Sequence, residues 1–104
     1  MIDDMIRNVV MGRLRDRGPD GRADDRVELE AGLAGIAALT LPGLVANHTG
    51  LDAGLREGGW DFAITNDWED VDAYRGYDID PEHNAHRKRI VDVCEQVARV
   101  QFEI

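Results

Sequence analysis

The chain has 104 residues, 43% apolar and 32% charged, the balance of one globular domain over residues 1–104 rather than of a disordered segment. Its 12 basic residues against 21 acidic ones give a net charge of −9, which argues against a nucleic-acid partner or an anionic membrane surface, since both are bound through basic clusters. Cys94 is the sole cysteine, no run of 18 apolar residues exists, and the acidic start MIDDMIRNVV is unlike a signal peptide or an anchor, so a cytoplasmic protein is expected.

Met5 to Arg15 alternates, with Ile6, Asn8, Val10, Gly12 and Leu14 on one side, and reads as the first strand. Asp16 to Asp24 reads as a loop from its Gly-Pro and Asp-Gly content, with Asp24 or Asp25 as the cap of the helix that follows. Val27, Leu29, Leu33, Ile36, Ala37 and Leu39 give that helix an apolar stripe, and Pro42-Gly43 closes it. Leu44 to Gly50, which holds His48, reads as a second strand, and the glycine-rich stretch from Gly50 to Gly59 as a connection. Trp60 to Trp68 is a third strand in which Trp60, Phe62, Ile64, Asn66 and Trp68 share a face.

A broken second helix follows, one piece from Asp70 to about Tyr77 and another from Pro81 to about Gln96. The residue before a proline is pushed out of the helical region, Pro81 suits the first helical position, and Asp80 can cap it. His83 therefore sits in a helix's first turn, where the helix dipole favours a neutral, basic imidazole. Val97 to Ile104 returns as a last strand. The order β-α-β-β-α-β is that of an α+β, ferredoxin-like fold: one antiparallel sheet with helices on a single face. A domain of this size buries only about two thirds of its unfolded surface, so a sizeable cavity calls for a second subunit to help enclose it.

The first strand, the segment GLREGGWDFAITNDWEDVDAY, the PEH before the last helix and the closing VARVQFEI together resemble the Dabb family, the stress-responsive dimeric α/β-barrel domains. The resemblance is collinear over nearly the whole chain. It implies a homodimer in which two ferredoxin-like sheets face one another as a barrel. Among the family are plant polyketide cyclases of the olivetolic acid cyclase type, cofactor-independent enzymes that close a linear polyketide by an aldol reaction. In them a histidine after a Pro-x motif is the catalytic base, and His83 matches it; a preceding tyrosine assists, matched by Tyr77 or Tyr74. Where the cyclases carry a histidine on the first strand this chain has Asn8, which orients a ligand by hydrogen bonds and exchanges no proton near neutral pH.

The expected function is thus a small-molecule enzyme, cyclase- or lyase-like, acting on an aromatic or polyketide-like carbonyl compound by histidine acid/base chemistry. Its rival is a non-catalytic stress-related dimer that binds a ligand or a protein. Trp60, Phe62 and Ile64 are candidates to line an apolar ligand pocket, with His48 and His86 as further contacts. His83 and His86 lie three apart on one helix, but local spacing fixes no third ligand, so neither metal nor cofactor is expected. Cys94, among Ile90, Val91, Val93 and Val97, reads as a small buried residue on the last helix. The run His86-Arg87-Lys88-Arg89 reads as a solvated face or a partner for nearby acids.

Overall fold

In the computed structural model, which describes residues 4–104, strand β1 (Ile6–Leu14) has the expected alternation, with Ile6, Asn8, Gly12 and Leu14 buried and Arg7, Val9 and Met11 not. Met1 to Asp3 of the acidic start lie outside the described residues. Helix α1 (Gly18–Ala37), strands β2 (Leu44–Leu51) and β3 (Phe62–Trp68), helices α2 (Val71–Ile79) and α3 (Pro81–Val91), and strand β4 (Cys94–Glu103) follow. The sheet order is β2-β3-β1-β4 and every neighbouring pair is antiparallel, which is the ferredoxin-like arrangement.

One face of the sheet carries the core. Ile6, Leu14, Phe62, Ile64 and Trp68 pack there against Leu29, Leu33 and Ile36 of α1, Tyr77 of α2 and Ile90 of α3. Leu29, Ile36 and Trp68 are each about 1% exposed, and full burial of side chains this large is worth about 1.5–3 kcal/mol apiece. Packing therefore holds α1 in place more than helix propensity does. Gly12 belongs to this face for want of a side chain: a Cβ there would come within 2.4 Å of the Phe62 ring, which lies across β1. The other face carries Arg7, Val9, Met11, Thr65 and Val100, and among the described residues no helix covers it.

Four boundaries differ from expectation. Helix α1 begins at Gly18, within the stretch expected as a loop, because Gly18 turns the chain at φ 77° and Pro19 occupies the start of the helix, where a missing N–H costs nothing. Asp25 is consequently no cap but lies inside α1, buried between Arg15 and Arg17. Strand β3 begins at Phe62, leaving Trp60 outside it, with the Arg13 guanidinium 4.8 Å from its ring centroid. Helix α3 ends at Val91, not Gln96, so Cys94 opens a strand instead of sitting on a helix. Valine steps there suit either structure, and pairing along all of β1, from Leu14–Cys94 to Ile6–Glu103, decides for the strand.

Candidate active site

The break between α2 and α3 builds the site. Asp80, extended at φ −64° and ψ 127° as a residue before proline should be, ends α2 by donating its N–H to the Tyr77 carbonyl at 3.1 Å. Its side chain caps α3, accepting from the His83 N–H at 2.9 Å. The last turn of α2 is thereby folded onto the first turn of α3. The Tyr77 and His83 rings stack with centroids 3.7 Å apart, Trp68 lies 4.8 Å behind Tyr77, and Tyr74 lies 6.2 Å from it.

A row of amides beneath these rings crosses all four strands. The register sets Asn47, Asn66, Asn8 and Gln101 side by side on the helix-facing side. Gln101 donates to Asn8 at 3.0 Å, Asn8 donates to Asn66 at 3.0 Å, and Asn66 donates in turn to the Tyr77 hydroxyl at 3.3 Å and to Asn47 at 3.4 Å. The Trp68 indole N–H also donates to Asn66, at 2.8 Å. Since the Tyr77 oxygen accepts from an amide, its own proton is not used in that bond and is free to be donated.

The pocket between this row and the helices is a concavity of about 470 Å³ counted to its open mouth, of which about 40 Å³ is cavity proper. That is room for roughly three waters. Val10, Ile36, Phe62, Ile64, Ile90 and Val97 make it apolar, and Asn8, Tyr74, Tyr77 and His83 are its polar interior. His83 is 5% exposed, and its Nδ1 is buried with no hydrogen-bond partner. Burial, and next the nearby Arg87 charge, pushes its pKa down to about 4, against the opposing pull of the Tyr77 carbonyl and of Asp78 and Asp80. The imidazole is therefore neutral at pH 7. Burial likewise raises the Tyr77 and Tyr74 phenols, so both keep their protons.

His83, Tyr77, Tyr74, Asn8, Phe62 and Ile64 are thus brought together on one pocket. Three other candidates are not. Trp60 lines a separate groove with Met11, Leu51 and Ala53. His48 faces the opposite side of the sheet, in a shallow cleft with Arg7, Thr65 and Asp67. His86 packs over Gly35 of α1, its Nε2 3.9 Å from a Glu82 oxygen. Among the described residues no three His, Cys, Asp or Glu side chains are grouped to hold a metal. Cys94 is half-buried and burial lifts its thiol to about 11, which disfavours the thiolate that a nucleophile needs. The basic run is spent on acids: Arg87 pairs with Asp78, Lys88 with Asp92 and Arg89 with Glu28.

Asn66, Asp78, Arg87 and Arg99 also shape the site and are not among its candidates from the sequence, where Arg87 figures only in the basic run. For Asn66 and Arg99 the signal present was strand alternation alone, which gives a face but not a neighbour.

No curated protein matches the chain. A dimeric ferredoxin-like protein of unknown function from Thermobifida fusca is 30% identical, with 98% of this chain and 92% of that one covered and a TM-score of 0.76. A dimeric protein of unknown function from Bacteroides fragilis is 24% identical over the full length of both chains, with a TM-score of 0.84. The hydroxynitrile lyase of Passiflora edulis shares the fold at 19% identity, 97% and 94% coverage and a TM-score of 0.66. Among the described residues no helix is long and apolar enough to cross a membrane. Residues 6–104 match the stress responsive A/B barrel domain, and the chain belongs to that family, Dabb.

Proposed function

We propose that the protein is a cofactor-independent enzyme that removes a proton next to the carbonyl of a small compound, with His83 as base and Tyr77 as the donor to the carbonyl oxygen. The observation that carries this reading is the meeting of an unpartnered, buried Nδ1 with an uncommitted phenol proton in one apolar pocket. In the step, the carbon–hydrogen bond breaks, the proton goes to the imidazole, and the electron pair moves onto the oxygen held by Tyr77. A neutral imidazole is the form a base requires. Burial makes its charged form costly until the enolate's negative charge develops beside it, so protonation is favoured as the reaction proceeds. Asn8 and Asn66 hold the phenol in place. The cavity suits a small carbonyl compound better than a long polyketide.

The scaffold is compatible with chemistry, since the hydroxynitrile lyase of Passiflora edulis, 19% identical, shares the fold. The working unit in this reading is a homodimer joined through the uncovered sheet face. Met11, Val100 and Phe102 there are 41%, 52% and 43% exposed, and the two bacterial structural relatives are dimeric.

Hydrogen–deuterium exchange at the methyl group of acetophenone, followed by NMR in heavy water, tests the assignment without a known substrate. The protein should accelerate exchange over buffer, and His83→Ala should reduce that acceleration by about 10²–10⁴-fold while circular dichroism stays unchanged. Equal exchange by the variant removes His83 as base.

A further inference from the structure

We propose that the carbonyl compound taken by this pocket carries a carboxylate, and that Arg99 at the pocket mouth is the group that holds it. The inference rests on the reading of the His83 pocket as a binding site and adds the substrate class.

The argument begins with charge. At a net −9 the protein repels small anions, so an anionic ligand needs a local cation that is not already neutralised. Eight of the 12 Lys and Arg side chains are, each paired with a carboxylate, with Arg7, Arg22 and Arg89 as examples. Arg13, Arg56, Arg75 and Arg99 have no carboxylate partner among the described residues. Of these Arg99 alone lines the His83 pocket, while Arg13 lies over the Trp60 ring.

Position supports the same conclusion. Arg99 pairs across the sheet with Val10, so its side chain rises on the helix-facing side beside the apolar wall, while its exposure puts it at the rim. It shares the lining of this pocket with Tyr74 and Tyr77 of the aromatic cluster. A carboxylate on the Arg99 fork would leave the attached apolar body to fill the cavity and a carbonyl within it to meet Tyr77 and His83. The interior offers such a ligand a polar contact, because His83 is 5% exposed and its buried Nδ1 makes no hydrogen bond within the protein. An anion in the pocket also acts on that imidazole. It opposes both burial and the Arg87 charge, so the substrate itself would draw the base toward its working range.

Benzoate and its neutral isostere benzamide, titrated into protein labelled with nitrogen-15 at histidine, test this by binding alone. The His83 ring signals report whether a ligand occupies this pocket. Benzoate should shift them and move the His83 titration midpoint upward; benzamide should bind at least tenfold more weakly. Arg99→Gln should weaken benzoate at least tenfold and leave benzamide unaffected. Arg89→Gln, which removes the same charge at a surface pair with Glu28, should change neither. Equal binding of the two ligands, equal losses in the two variants, or no benzoate shift at His83 each overturns the proposal. Because no turnover is measured, benzoate bound through Arg99 with no acetophenone exchange would defeat the catalytic reading and leave the carboxylate site standing, and the converse result would do the opposite.

Discussion

Asp25 and His83 are both buried ionisable side chains, 2% and 5% exposed, and they are treated in opposite ways. Asp25 receives four hydrogen bonds of 2.7–3.1 Å from two guanidiniums, each gripping it with two nitrogens. Those bonds from Arg15 and then Arg17 hold its carboxyl far below the usual carboxylate range. His83 has a buried Nδ1 that makes no hydrogen bond, and despite the pull of the Tyr77 carbonyl on the ring its charged form is disfavoured by burial. A satisfied buried charge ties β1 and the turn after it to α1. An unsatisfied buried polar atom costs stability, about 1–3 kcal/mol, and is most simply retained where a ligand completes it.

Removing the Asp25 charge is the severest way to break this comparison. Asp25→Asn keeps the shape but leaves Arg15 and Arg17 facing each other without a counter-charge, so its thermal midpoint at pH 7 should fall further than that of any other variant considered. The sign with pH follows from linkage. The folded pKa is depressed, so the stabilisation is complete above the unfolded value near ~3.9 and is lost as pH falls below it. The gap between wild type and variant should therefore narrow in acid. An Asp25→Asn variant as stable as wild type at pH 7 would deny Asp25 its structural part.

His83→Phe probes the other side, and its effect is confined to one pH window. The folded pKa of about 4 lies below the ordinary 6.5, so the unfolded chain takes up the proton first. Wild-type stability is complete above that ordinary value and declines as pH falls toward 4, by up to about 3 kcal/mol. Phenylalanine has nothing to protonate and no unpartnered nitrogen. The variant should melt higher than wild type at pH 5, with a smaller difference at pH 7.5. Parallel pH profiles would mean that the imidazole is not enclosed in solution.

The two residues also differed in how far the sequence exposed them. His83 was legible, because Asp80-Pro81 announces a helix start and the family resemblance singles out the histidine after it. Asp25, like Asp24, reads as a cap because Gly18-Pro19-Asp20-Gly21 looks like a loop, and only the two arginines before that stretch make a buried acid inside α1 tenable. The strand order followed from element order, and alternation placed Asn8 and Asn66 on their faces. What alternation cannot supply is register: that Asn47, Asn66, Asn8 and Gln101 stand abreast, or that Arg99 rises beside Val10, depends on pairings between segments far apart in the chain. Trp60, His48 and His86 suit the site by their chemistry, but the same registers and helix packing send them to other surfaces.

The smallest change in stability is expected from Tyr77→Phe, and it gives the sharpest comparison. Removing the hydroxyl deletes one acceptor of the Asn66 amide, but Asn47 remains at 3.4 Å, so the amide is not orphaned. The loss should be about 1 kcal/mol, or roughly 4–8 °C in thermal midpoint for a domain of this size. Acetophenone exchange, in contrast, should fall by about tenfold or more, since the phenol proton is the donor to the developing oxyanion in the proposed step. If the amide row existed to hold the fold together as the arginines hold Asp25, stability would drop sharply and exchange only in proportion to unfolding. A stable protein that has lost its exchange activity would instead mark the row as a device for aiming one hydroxyl into the pocket.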